Sequence, residues 1–111
     1  MQTINFVDQF VALAEEYGDG IATGDSRHAN NCHARINKLL RSKDIETRWQ
    51  FLPVLCRHHN SAVRLWAAAY LTEIDADSAK TTLVSCAEEQ TPLGLVAEVV
   101  LDQLKNGTLK L

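Results

Sequence analysis

Residues 60–71 read Asn60-Ser61-Ala62-Val63-Arg64-Leu65-Trp66-Ala67-Ala68-Ala69-Tyr70-Leu71, and this stretch decides the fold class. Its apolar residues, continued by Ile74, recur in steps of three and one, which places them on one face of an α-helix. Asn60 has a side chain that can cap the N–H groups at the start of that helix. The three consecutive alanines let a neighbouring helix approach closely. The stretch therefore predicts a helix with a close helical neighbour.

Helical spacing continues on both sides of this stretch, and no segment alternates as a strand does. Before it we predict three helices, over residues 4–17, from Asp25 or Ser26 to 41, and over residues 45–57. After it we predict two more, one opening at Asp75 or Asp77 and one opening at Thr91-Pro92, where proline fits the first helical position. The sequence thus predicts an all-α domain of about six helices.

Glycine and proline mark the expected interruptions. Gly18-Asp19-Gly20 is expected to end the first helix, and Asn106-Gly107 the sixth. Pro53 lies inside the third helix and should kink it or break a turn. The loops between helices three to six are short, so sequential helices should be antiparallel neighbours. We therefore expect three helix pairs stacked side by side. The last helix has a broad apolar surface, which predicts a central position.

Length and composition limit the possible classes of protein. A chain of 111 residues is enough for one domain, here residues 1–111. From Ser61 onward there are seven acidic and four basic residues, which does not favour direct nucleic-acid binding. No apolar stretch is long enough for a membrane span, and the N-terminus lacks the features of a secretion signal. Three widely spaced cysteines indicate reduced thiols and a cytoplasmic location.

The segment 51–55, Phe-Leu-Pro-Val-Leu, followed by residues 59–69, resembles a HEAT repeat. The shared features are a proline in the first helix, a polar turn, then Val63-Arg64 and an alanine-rich second helix. Asn60 stands where the repeat usually has Asp, which weakens the case for a charged ladder through Arg64.

Most of the chain resembles a bacterial family catalogued as domain of unknown function two thousand and nineteen. The likeness is carried by Val63-Arg64-Leu65-Trp66-Ala67-Ala68, by Thr91-Pro92-Leu93-Gly94-Leu95-Val96-Ala97-Glu98, and by a polar second helix with Ala29-Asn30 and Arg35-Ile36-Asn37. The resemblance implies a HEAT/armadillo-like right-handed α-α superhelix in three antiparallel pairs. Such proteins are often encoded beside secreted toxins, so the resemblance also implies an immunity protein that neutralises a cognate toxin by occluding its active site.

Cysteine and histidine residues raise the question of a metal or a nucleophile. His28 and Cys32 are four residues apart, so both could face one ion, yet no paired metal-ligand motif is present. The three cysteines lie in phase with apolar stripes, where a thiol is expected to be buried and inert. We therefore expect no metal, no cofactor and no enzyme activity. A small metal or redox protein using Cys32 or Cys56 is the third hypothesis.

Charged residues near the turns are the candidate partner-binding residues: Arg48, Arg64, Glu73, Asp75, Asp77, Glu88 and Glu89. The acidic ones either solvate the surface and cap helices, or form a negative patch that meets a basic partner such as a nuclease toxin. Arg48 is expected to be exposed and Trp66 to be buried. Trp49 lies on a predicted core stripe, and either tryptophan could instead be an interface anchor. The sequence thus predicts a protein-binding module that recognises one protein partner. The first hypothesis is an immunity protein, and the alternative is a helical scaffold or adaptor.

Overall fold

The computed structural model describes residues 5–111, and within that range the chain forms six α-helices and no strand. The helices are α1 (Phe6–Ala22), α2 (Ser26–Arg41), α3 (Ile45–Leu55), α4 (Ser61–Leu71), α5 (Ala76–Ala87) and α6 (Pro92–Asn106). The predicted all-α class and the number of helices are confirmed. The predicted start of the first helix at Ile4 lies outside the described residues.

Each helix begins after a residue whose side chain accepts a backbone N–H of the first turn. These capping residues are Asn5, Asp25, Asp44, Asn60, Asp75 and Thr91. The predicted caps at Asn60 and Thr91 are confirmed. At the end of α6, Gly107 has φ 71°, the left-handed conformation that favours glycine, so the predicted stop is also confirmed.

The prediction that Gly18-Asp19-Gly20 ends the first helix is wrong, because α1 continues to Ala22. Gly18 instead allows close packing: a Cβ added there would lie 2.9 Å from the Cβ of Ala62 in α4. Gly20 likewise packs against the backbone of residues 25–29, where α2 begins. The small residues thus bring helices together, and Gly24, with φ 75°, makes the turn.

Helix α3 continues through Pro53 to Leu55, so the proline does not break it. Its core face differs from the prediction, which places Ile45, Trp49, Leu52 and Cys56 on one stripe, because Ile45 and Trp49 are 58% and 47% exposed. The buried positions are Arg48, Leu52 and Leu55. Since α3 packs mainly against α4, it buries one narrow face, and that face is rotated by about one residue from the predicted stripe.

The central helix is α4, which contacts α1, α3, α5 and α6. Most of its residues are buried, and Trp66 is 3% exposed, which confirms its predicted burial. Helix α6 contacts α5, α1 and α4, but Leu95 and Val99 on its outer side are exposed, so the central position predicted for it belongs to α4. Within residues 5–111, no helix has the length and apolar character needed to cross a bilayer.

Candidate protein-binding groove

A groove of about 590 Å³ opens at the turn between α5 and α6. Helix α5 ends at Ala87, and Thr91 caps α6 by accepting the N–H of Gly94. Gly94 is needed here, because a Cβ on it would collide with the carbonyl oxygen of Glu89. The turn therefore folds tightly over the first turn of α6 and leaves an open groove beside it.

Three carboxylates line this groove, those of Glu88, Glu89 and Glu98, and no lysine or arginine is among its lining residues. Glu89 accepts a hydrogen bond of 2.5 Å from the Ser61 hydroxyl through Oε1, while its buried Oε2 has no hydrogen-bond partner among the described residues. Clustered carboxylates beside low-dielectric walls concentrate negative potential. The groove therefore suits a positively charged side chain.

Apolar surface adjoins the carboxylates. Leu95, which lines the groove, is 65% exposed, and Val99, one helical turn further along α6, is 53% exposed. Apolar residues bordered by charged ones are typical of surfaces that bind other proteins. The groove thus combines charge and apolar area within one short stretch of α6.

Arg64 connects the groove to the α3–α4 turn. Its Nη1 donates to the carbonyl oxygens of His58 and His59 at 2.7 and 3.0 Å, and its Nη2 lies 3.5 Å from Oε1 of Glu89. The structure therefore brings together three of the predicted partner-binding residues, Arg64, Glu88 and Glu89. Arg64 positions Glu89 and holds the two turns side by side.

A second charged cluster lies at the end of α4. Glu73 receives two hydrogen bonds from Arg41, of 2.8 and 3.0 Å, and one of 3.2 Å from Arg48. The prediction that Arg48 is exposed is wrong, since the residue is 9% exposed and also donates to the Lys43 carbonyl. Burial follows from its place on the core face of α3. This cluster joins α2, α3 and the end of α4.

Asp75 and Asp77 lie at the start of α5. Asp75 caps the helix, and hydrogen bonds from Ser78 lower the pKa of its carboxyl. Asp77 is exposed in the first turn. Because α5 has 12 residues and rises about 1.5 Å per residue, these two lie roughly 18 Å from the Glu88–Glu89 turn. The two acidic turns therefore form separate surfaces at opposite ends of α5.

The cysteines lack the environment of an activated nucleophile. Burial raises the pKa of the Cys56 and Cys86 thiols, and burial followed by the Glu16 carboxylate raises that of Cys32. An activated thiolate requires a lowered pKa. Cys32 does have two polar neighbours, because Glu16, His28 and Cys32 place one donor atom each within 4.8 Å of one another. The His28–Cys32 spacing was visible in the sequence, whereas the position of Glu16 depends on how α1 packs on α2.

No family model, no curated protein and no solved structure matches this chain. The resemblance to the toxin-associated bacterial family therefore stays a prediction, and the function is argued from the groove.

Proposed function

We propose that this chain is a protein-binding module that recognises one basic protein partner at the α5–α6 groove. The observation that carries the proposal is the lining of the groove, in which Glu88, Glu89 and Glu98 adjoin the exposed Leu95 and no lining residue is basic. Arg64, outside the lining, pairs with Glu89 and leaves Glu88 and Glu98 as the exposed charges. The chain would act by covering the partner's surface, without chemistry of its own at the groove.

Charge and apolar area would have different roles in such a complex. The carboxylates would attract a basic partner over distances near the screening length, about 10 Å at 0.1 M salt, and speed its capture. Leu95 and Val99 would supply apolar area that is buried on contact. The exposed carboxylates of Glu88 and Glu98 give an arginine or lysine of the partner its acceptors.

The partner we infer is a bacterial toxin with a basic active-site cleft, such as a nuclease, and the chain would be its immunity protein. The inference combines the acidic groove with the family resemblance described above. A basic cleft that binds nucleic acid phosphates is complementary to a carboxylate-lined groove. Occupation of the cleft by this chain would exclude the substrate.

Co-expression with the product of the adjacent gene tests this proposal. The wild-type chain should co-purify with that product and restore growth of cells that produce it. Charge reversal at two exposed positions, Glu88→Lys with Glu98→Lys, should weaken binding by at least about tenfold and reduce the rescue, because like charges then face each other.

Asp77→Lys is the control, matched to Glu88→Lys made alone. Each reverses one charge at an exposed position, at opposite ends of α5, and Asp77→Lys should leave binding within about twofold of wild type. Circular dichroism and thermal unfolding show whether each variant is folded. Absence of co-purification and of rescue by the wild-type chain would reject the immunity function, and equal losses from both substitutions would reject the groove as the binding surface.

A helical scaffold or adaptor is the second candidate, and one observation favours it. Ile45 and Trp49 are exposed one turn apart on α3, away from the α5–α6 groove. Two separate surfaces are what a scaffold that joins two proteins requires. Trp49→Ala should then abolish assembly of a three-protein complex while leaving binding at the groove intact, whereas unchanged assembly would remove the support for a scaffold.

We also propose that the six helices follow a HEAT-like right-handed superhelix of three pairs. Contacts between α1 and α2, α3 and α4, and α5 and α6 support the pairing, whereas the contact of α1 with α4 departs from regular stacking. A crystal structure with a right-handed progression of pairs is expected, and a closed bundle around α4 would contradict it. The three unpaired thiols support a cytoplasmic location.

A further inference from the structure

We propose that Glu16, His28 and Cys32 form a binding site for a zinc ion at the junction of α1 and α2. The site is separate from the α5–α6 groove and does not depend on the function proposed there. Its three donor atoms are a carboxylate oxygen, an imidazole nitrogen and a sulfur, which are the three kinds of side-chain ligand that zinc takes in proteins.

Two features of the fold assemble these residues. His28 and Cys32 are four residues apart in α2, so their side chains extend from the same face one turn apart. Helix α1 packs along α2 and is connected to it by residues 23–25 only. The short connection fixes the register of the two helices and brings Glu16, near the end of α1, beside the first turns of α2.

The distances agree with tetrahedral coordination. Zinc–sulfur bonds of about 2.3 Å and zinc–nitrogen or zinc–oxygen bonds of about 2.0–2.2 Å, set at the tetrahedral angle, separate two ligand atoms by about 3.6 Å. Cys32 Sγ lies 3.7 Å from His28 Nε2 and 3.8 Å from Glu16 Oε2. Both separations are within about 0.2 Å of the expected value. The Glu16 and His28 donor atoms lie within 4.8 Å of each other and would move together by up to about 1 Å to bind the ion.

Weak hydrogen bonds also account for the two contacts of Cys32. The thiol donates its proton to Glu16, and its sulfur can accept the Nε2–H of His28 in the tautomer that is protonated there. At 3.8 and 3.7 Å both contacts are long and weak. One cation would satisfy all three donor atoms together, which is the chemical reason to assign the site to a metal.

The position of the site allows an ion to enter. Cys32 is buried at the floor with 1% of its surface exposed, whereas Glu16 and His28 are exposed. Three protein ligands leave one tetrahedral position, which a water molecule would take. The combination of thiolate and imidazole favours zinc over magnesium or calcium, which prefer oxygen ligands.

Metal titration of the full-length chain tests the proposal. In the presence of a non-thiol reductant, zinc should bind at one ion per chain and raise the midpoint of thermal unfolding. Cobalt(II), used as a spectroscopic probe, should give the absorption of a tetrahedral thiolate complex. His28→Gln and Cys32→Ser should each weaken zinc binding by at least about 100-fold, since loss of an outer-shell partner alone costs roughly 10- to 100-fold.

Matched controls separate this site from other ligands. His59→Gln changes an exposed histidine and Cys86→Ser a buried cysteine elsewhere, and both should bind zinc as wild type does. His28 is exposed, so its substitution keeps the test valid if Cys32→Ser fails to fold. Absence of stoichiometric zinc binding, binding unchanged by His28→Gln, or an equal loss in Cys86→Ser would each overturn the assignment.

Discussion

Replacing Gly18 by alanine adds one methyl group at the contact between α1 and α4. The new Cβ would lie 2.9 Å from the Cβ of Ala62, closer than the roughly 3.5–4.0 Å at which two carbon atoms attract each other. Ala62 is 1% exposed and its Cβ is attached directly to the backbone of α4, so it cannot rotate away. The two helices must therefore separate.

The expected magnitude follows from two opposing contributions. Alanine in a helix interior is favoured over glycine by about 1 kcal/mol. Overpacking of a tight contact costs about 1–3 kcal/mol, and a value near 2 fits an overlap that only backbone movement relieves. Gly18→Ala should therefore lower the free energy of unfolding by about 1 kcal/mol, the difference between these two contributions.

Urea denaturation of a double-mutant cycle measures this contact. Ala62→Gly removes the opposing methyl group, so Gly18→Ala should stabilise the Ala62→Gly background by about 1 kcal/mol and the coupling should be about 2 kcal/mol. Because Gly18→Ala is destabilising only if α1 and α4 are in close contact, the sign of its stability change is the decisive result. Stabilisation by Gly18→Ala in the wild-type background, with no coupling, would refute the close approach of the two helices.

Two further predictions concern buried polar groups. Arg48→Met should lower the free energy of unfolding by about 1 kcal/mol, and Arg41→Met should lower it by less, because Arg48 is the less exposed partner of Glu73. Urea denaturation measures both values, and the reverse order would contradict the prediction. His33 stacks on Trp66, and burial lowers the pKa of its imidazole. As the pH falls through about 6.5, the unfolded chain therefore binds a proton at His33 before the folded chain does. The free energy of unfolding should decrease below that pH. His33→Phe should flatten this dependence in thermal unfolding, and an unchanged slope would assign it to other groups.

Local signals in the sequence predicted the helices well. A capping side chain acts on the three residues that follow it, so the starts at Asn60 and Thr91 could be predicted from adjacent residues. Gly107 likewise ends α6 through its own backbone conformation. The Gly18–Gly20 prediction failed because the same residue type serves helix ends and close helix contacts, and only the position of Ala62 distinguishes the two.

Side-chain environments that depend on packing were harder to predict. Arg48 and Trp49 are adjacent in α3, and the sequence pattern assigned burial to the tryptophan. The structure buries the arginine, because Glu73 at the end of α4 offers it a carboxylate. The pattern of apolar residues within one helix carries no information about charged residues on a neighbouring helix.

The candidate sites differ in the same way. Glu88 and Glu89 were recognised as an acidic turn, but their grouping with Glu98 depends on how α6 folds back beside α5. Glu16 was not recognised as a neighbour of Cys32, because the two residues are 16 positions apart and meet only through the register of α1 on α2. The residues of a site formed between two helices can be identified together only when the packing of those helices is known.

Hydrogen exchange of the chain, free and in complex with its co-expressed partner, is the most direct test of the groove as the binding surface. Slower exchange is expected for backbone amides of residues 88–99, which include Leu95 and Glu98 and surround the groove. Residues 72–78, at the other end of α5, should exchange as in the free chain. Protection confined to residues outside 88–99 would contradict the assignment of partner binding to this groove.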